Sequence, residues 1–421
     1  SKMLTLQFGG VKHLVVTWAE DSFLDNLKVF YGANLPSATQ KMEHVGTGSF
    51  HVFLFYDASP VYAQRETSRG PEHVNVNLFD LKTVLRDLDG GGHRVHGTIN
   101  EREGKRDCWL LFGKSVDEIN PTEMQAACAQ PMKIVGREGF DSLRQLLHTL
   151  NLCVNYVVMR NFDSFPDNYD LSLHGDIDIL TDNLEETVRI LGARKQFDGH
   201  NRVAYVVWIN GEWVPFDIRF VGDNYFDEFW QIDMLRTRQL ERDFFVPEPR
   251  QHFFSLCYHA LFHKPALGDD YRARLIAMSN AITGRPATSE QDIDQMTRTF
   301  MLENGYNFTF PNDETVQYQS HKTKSIDQHG YLKSLISRMA TDGGIDPSYA
   351  DTHARRLYEE LNAGKWLDPM RVFSAQEPEM FAEALILAPP VNMDTGRLDQ
   401  LGSHVTLVHG SEEQRQTFDD R

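Results

Sequence analysis

Cysteine is scarce in this chain. Its 421 residues hold four, Cys108, Cys128, Cys153 and Cys257, with no CxxC or zinc-type spacing. That excludes a disulfide scaffold and predicts free, mostly buried thiols of a reducing compartment. An apolar run long enough to span a membrane is also missing. The opening residues, Ser1-Lys2-Met3-Leu4, do not read as a signal peptide, so a cytoplasmic enzyme is the expectation. Positive charge is in short supply: 42 Lys and Arg stand against 60 Asp and Glu, a net charge of −18. A phosphate backbone or anionic membrane would be repelled, which argues against a general binder of long nucleic acid. A small nucleotide carried by a cation still fits. No internal repeat or low-complexity tract is visible. The length predicts two or three domains with ample core.

What is present is an unusual placement of carboxylates. The stretch His174-Gly175-Asp176-Ile177-Asp178-Ile179-Leu180 reads as a strand. Asp176 and Asp178, two apart, point to one face of such a strand. Apolar flanks give these charges no reason to sit there unless a cation or ligand does. Gly175 permits close approach of a ligand. A third carboxylate, Asp217, lies in the apolar run 214–221. Three carboxylates on neighbouring strands suit Mg²⁺ or Mn²⁺, which take oxygen ligands and share them with substrate phosphates.

Periodicity predicts three units. In the first, 11–18 and 50–56 read as strands, with helices over 22–31, 78–88 and 101–112; 121–131 reads as a polar connection. The second runs through a helix over 140–150, a strand over 153–159, the Asp-x-Asp strand and a helix over 184–191. It ends in strands over 203–209 and 214–220, joined by the hairpin turn Asn210-Gly211. The third is mostly helical: 250–262, 270–283, 289–304, 328–339 and 349–361. Residues 403–421 read as a polar, fraying tail. The domains expected are 1–130, 131–248 and 249–421, giving a multidomain α+β or α/β protein. The first carries a mixed sheet, the second is α/β and the third is mainly helical.

The middle unit resembles the nucleotidyltransferase superfamily with the DNA-polymerase-β-like catalytic fold. The resemblance rests on a helix, a strand, an Asp-x-Asp strand and a later strand bearing the third Asp, over about 90 residues. It implies metal-dependent transfer from a nucleotide-containing donor to a small acceptor. Asp176, Asp178 and Asp217 would then be catalytic and metal-binding, and His174 and Gly175 would be near the donor. Where the family carries a Gly-Ser turn, this chain reads Met159-Arg160-Asn161-Phe162. Arg160, beside Asn161, either gives a fixed guanidinium to a donor phosphate or pairs with Asp163 or Asp167. Arg219 and Lys264 are further candidates for phosphate contact.

The first unit is similar, more loosely, to nucleoside diphosphate kinases. Arg94-Val95-His96-Gly97-Thr98-Ile99-Asn100-Glu101 precedes a helix ending at Phe112. Arg86 falls near a phosphate-binding Arg of that family. The resemblance implies His96 as a phosphorylatable nucleophile; the other reading is a loop histidine behind a triple-Gly turn. The family's Lys-Pro-Asp is absent here, where the first strand ends Thr17-Trp18-Ala19-Glu20-Asp21.

His259 and His263 share one helix face but lack an HExxH glutamate, so core packing is the expectation there. Two other functions remain open. Asp-x-Asp also holds the metal on sugar-nucleotide donors of glycosyltransferases, and the aromatics between 225 and 262 would suit a carbohydrate acceptor in surface-polysaccharide assembly. Alternatively, the chain binds a nucleotide without chemistry.

Overall fold

The computed structural model describes residues 8–32, 38–67, 70–90, 94–169, 175–197, 202–323, 328–342, 348, 350–352, 354–355, 383–387 and 405–409. The chain is mixed α/β and divides into two compact units. One comprises 1–198, 204–218 and 240–245; the other comprises 199–203, 219–239 and 246–421. Residues 1–130 fall within the first, and 131–248 are divided between the two.

That unit opens with β1 (Gly9–Thr17), α1 (Glu20–Tyr31), α2 (Ala38–Val45) and β2 (Ser49–Tyr56). β1 and β2 pair antiparallel, Thr17 opposite Ser49 and Lys12 opposite Leu54. Leu14 and Val16 are fully buried on one face. Trp18 closes that face, edge-on to Phe23 at 5.3 Å and Phe50 at 4.8 Å. A hairpin of β3 (Tyr62–Thr67) and β4 (Gly70–Asn75) leads into α3 (Val76–Leu88). α4 (Glu101–Phe112) is capped by the Asn100 side chain on the Glu103 N–H and ends at left-handed Gly113.

The predicted polar connection over 121–131 is instead a helix, α5 (Pro121–Cys128). Asn120 caps it and Pro121 sits in its first turn, where no backbone donor is needed. α5 serves the sheet: the Gln125 side chain accepts from the Val15 N–H at 3.0 Å and donates to the Val15 carbonyl at 3.3 Å.

The rest of this unit is built on a mixed five-stranded sheet. α6 (Leu143–Cys153) precedes β5 (Tyr156–Val158), β6 (Ile177–Thr181), α7 (Leu184–Leu191), β7 (Arg194–Lys195), β8 (Ala204–Ile209) and β9 (Glu212–Phe220). The strand order is β5-β6-β9-β8-β7. β6 is buried along its whole length, which is why it reads as a nearly continuous apolar run. β8 and β9 form the expected hairpin, with Ile209 opposite Glu212. Its turn residues Asn210 and Gly211 both take positive φ, 49° and 82°, as a primed two-residue turn requires. α4 packs against α6, and the Trp109 indole donates to the Thr149 hydroxyl at 2.9 Å.

The second unit is helical: α8 (Glu228–Arg236), α9 (Pro249–Phe262), α10 (Asp269–Thr283), α11 (Glu290–Asn304) and α12 (Gln328–Asp342). A short β10 (Gln239–Glu241) and β11 (Phe244–Val246) stand between α8 and α9 in the chain. α9 is buried nearly all round. Aromatic rings here pack face to face: Phe254 of α9 on Phe300 of α11 at 4.0 Å, and Trp230 of α8 on Tyr306, just past the end of α11, at 5.2 Å. The helix expected over 349–361 is seen at 350–352 and 354–355; the remainder lies outside the described residues. Part of the tail expected to fray is ordered, because β13 (Val405–His409) pairs antiparallel with β12 (Glu383–Leu387). Among the described residues no helix is long and apolar enough to cross a membrane.

Candidate functional site

β6 and β9 are neighbours in the sheet, so Asp178 and Asp217 stand on adjacent strands. Asp178 is buried, its side chain 2% exposed. Asp217, opposite Ala204 of β8, is half-buried. Asp176 was predicted within the strand; β6 begins one residue later, and Asp176 sits half-buried in the bend that feeds it. Gly175 just before it has φ 79°, and a methyl group added to it would meet nothing within 4 Å. Its glycine is therefore demanded by backbone conformation rather than by crowding. His174 lies outside the described residues.

Arg160 meets a carboxylate that neither sequence expectation named. Its guanidinium donates to Asp178 Oδ1. Asp167 is paired instead with Arg144 at 2.6 Å, and the Asp163 carbonyl accepts from Arg242 at 2.6 Å. A carboxylate inside a fully buried strand needs a counter-charge, and Arg160, whose side chain is 10% exposed, provides one. The local chain puts it there. The Met159 N–H donates to the Asp178 carbonyl at 3.0 Å, extending the β5–β6 ladder. Asn161 then turns the backbone at φ 59°, a left-handed conformation that Asn tolerates. Phe162 follows and packs edge-on to Phe244 at 6.1 Å.

The donor chemistry of Asp176, Asp178 and Asp217 is that of a hard cation such as Mg²⁺ or Mn²⁺. Their arrangement is not a closed cage. Among the described residues no three His, Cys, Asp or Glu side chains gather as a metal-binding group, and Asp178 already carries the Arg160 guanidinium.

Arg219 and Lys264 belong to the helical unit. Arg219 is buried, bonded to Asp313 at 3.2 Å, 3.8 Å from Asp223 and stacked 4.0 Å above the Tyr225 ring. Its charge is thus committed between two carboxylates. Lys264 is exposed just beyond α9. His259 and His263 are both buried among aromatics: His259 Nδ1 is 2.6 Å from the Tyr225 hydroxyl, and His263 lies 4.1 Å from the Tyr225 ring.

His96 and Arg86 belong to a second cluster, in the N-terminal part of the sheet-bearing unit. His96 Nε2 is 2.8 Å from Asp107 Oδ2. A carboxylate accepts, so Nε2 carries a proton. Asp107 is fixed from its other oxygen by Arg106, at 2.6 Å and 2.9 Å. The imidazole edge rests on Phe30 and Tyr31, at 5.6 Å and 5.2 Å. Arg86 donates to the Val95 carbonyl at 3.0 Å, holding the loop that carries His96. Lys41 Nζ lies 4.9 Å from the Tyr31 ring centre, and its ammonium is pulled down to about 8 by burial and then by the like charge of Arg86. Lys41 and Tyr31, which lie 55 and 65 residues before His96, carry no sequence signal that links them to it.

The chain matches no protein-family model, no curated protein and no solved structure.

Proposed function

We propose that this protein is a transferase of the nucleotidyltransferase type, acting on a nucleotide-containing donor and a small acceptor. The observation that carries the reading is Asp178: an ionisable side chain in the middle of a buried strand, with Asp217 on the next strand and Asp176 at the strand's entrance. Buried charge is costly and concentrates at functional sites. The order of helix α6, strand β5, carboxylate strand β6 and hairpin β8–β9 also supports it. In this reading Asp176, Asp178 and Asp217 would hold Mg²⁺ or Mn²⁺, which supplies charge neutralisation for donor phosphates. Arg160 and Asn161 would flank the donor from the turn after β5 and Gly175 from the bend before β6, with His174 a further donor contact.

A second reading, nucleotide binding without chemistry, is favoured by the Arg160–Asp178 pair, since a neutralised carboxylate needs no cation. Incubation with a panel of nucleoside triphosphates and sugar nucleotides separates the two. Pyrophosphate release that is lost in Asp178→Asn supports nucleotidyl transfer. Release of a nucleoside diphosphate or monophosphate from a sugar nucleotide would assign sugar or phosphosugar transfer. Binding without any product over long incubation would leave the second reading.

A further inference from the structure

In β2 the sequence and the surroundings disagree. The strand reads Ser-Phe-His-Val-Phe-Leu-Phe-Tyr, without a charged residue, Pro or Gly. Its partner β1 buries Leu14 and Val16 completely, yet none of the eight residues of β2 is buried, and Tyr56 is 47% exposed. Its outer edge is open as well. Trp18 donates to the Gly48 carbonyl at 3.2 Å, while Gln125 and Met132 take the outward groups of Val15 and Thr17 on the far edge of β1. Alternation along an antiparallel ladder then points the N–H and C=O groups of Ser49, His51, Phe53 and Phe55 away from β1, and no described residue bonds to them. Open apolar edges invite another strand, and folded proteins blunt them. The five-stranded sheet does so: it ends in the three residues of β5 and the two basic residues of β7. The β3–β4 hairpin carries Arg65, Glu66, Pro71 and Glu72. β2 has no such device.

We propose that this edge is a homodimer interface, in which β2 of one copy pairs antiparallel with β2 of a second. Two strands alone make a marginal sheet, and the pairing makes it four. In the register centred on Val52, Ser49 faces Phe55 of the other copy and His51 faces Phe53. Each of these residues then gives one backbone bond and accepts one. On the opposite face Phe50, Val52 and Leu54, half-buried in a single copy, meet their counterparts across the two-fold. Charge favours a second copy at this place. Chains of net charge −18 repel each other, and β2 brings no charge to the contact. Asp57, just past the strand, falls opposite Thr47 rather than another carboxylate. The proposal does not depend on the transferase reading.

Sedimentation velocity of the full chain across the micromolar range tests this. Wild type is expected to sediment as a dimer that dissociates on dilution. His51→Pro removes an outward donor that the β1–β2 ladder does not use and is expected to abolish the dimer. His51→Ala keeps that donor while losing the 2.9 Å contact of His51 with His13, and is expected to retain the dimer. Wild type that stays monomeric at every concentration overturns the proposal, as does a dimer that survives His51→Pro. His51→Pro is the variant at risk of misfolding; amide hydrogen exchange on wild type stands without it. Exchange over residues 49–56 should slow at the concentrations where the dimer forms. Exchange there that is indifferent to dimer formation would place the contact on another surface and overturn the proposal.

Discussion

At the scale of single residues, the sheet-bearing unit is governed by how it neutralises Asp178. Breaking a buried ion pair from one side leaves an uncompensated charge, which costs about 3–5 kcal/mol. Arg160→Ala is expected to lower the unfolding free energy by that order in urea denaturation. The double variant Arg160→Ala/Asp178→Asn should recover most of the loss, because the carboxylate is then no longer charged. A double-variant loss equal to the single would show that Arg160 matters for packing rather than for the pair.

Asp227 in the helical unit supplies a second residue-scale test. Its carboxylate accepts from the N–H groups of Phe229, Trp230 and Asn307, at 2.9, 3.4 and 3.0 Å. Burial nevertheless outweighs these bonds and pushes it up to about 6 from an ordinary 3.8. A carboxyl whose folded value is raised binds its proton more tightly in the folded state. Its contribution to stability is full below the unfolded value and is lost as pH rises through about 6. The difference is on the order of 3 kcal/mol. Chemical denaturation at pH 4 and pH 7 should show wild type losing more stability across that interval than Asp227→Asn, whose side chain does not titrate. Equal losses would contradict the assignment.

At the scale of elements, the hairpin β8–β9 was legible because Asn210-Gly211 is a turn signal with a physical cause, and the alternation on either side fixes its register. β6 was legible because a strand buried on both faces spells itself as Ile-Asp-Ile-Leu, with the carboxylate as the anomaly. α5 was missed although Asn120 and Pro121 announce its start, because it is only eight residues long and Met124 and Cys128 alone face the core, too few to show an apolar period. α8 was missed for the opposite reason: Phe229, Trp230, Met234 and Leu235 surround it with apolar contacts, so no single stripe stands out. The pairing of Arg160 with Asp178 could not be read at all. It joins residues 18 apart across a ladder, and sequence offered Asp163 and Asp167 as nearer partners.

Glycine positions give the element-scale test. Gly211 has φ 82° with open space around a methyl group, whereas at Gly139 (φ 97°) a methyl group would lie 2.6 Å from the Trp208 carbonyl oxygen. Gly211→Ala should cost about 1–2 kcal/mol, the conformational penalty alone. Gly139→Ala should cost more, since it also forces apart the Phe140 N–H and Trp208 carbonyl, bonded at 2.9 Å. Thermal melts of the two variants give the order directly, and the reverse order would contradict this account of the strand entry.

At the scale of the whole molecule, the chain divides into a sheet-bearing unit and a helical unit, and the N-terminal segment shares one compact unit with most of the five-stranded sheet. Sequence alone had set these apart, since the packing of α4 on α6 depends on contacts that leave no periodic trace. The net charge of −18 bears on partners rather than on fold. Fluorescence anisotropy with a labelled oligonucleotide at physiological salt is expected to show no binding of long single or double strands. Micromolar retention would point instead to a basic groove able to override the overall repulsion.

The central claim, that the carboxylates of β6 and β9 form a cation-assisted nucleotide site, is most directly tested by thermal stability. Wild type and Asp176→Ala/Asp178→Ala would be compared with nucleotides and sugar nucleotides, with and without Mn²⁺. A ligand at 100 times its dissociation constant stabilises the folded state by about 2.7 kcal/mol, a shift well within reach of the method. The account expects a shift that needs nucleotide and Mn²⁺ together and vanishes in the double variant. A nucleotide shift indifferent to Mn²⁺ and to both substitutions would contradict it and move the binding site to the His96 cluster.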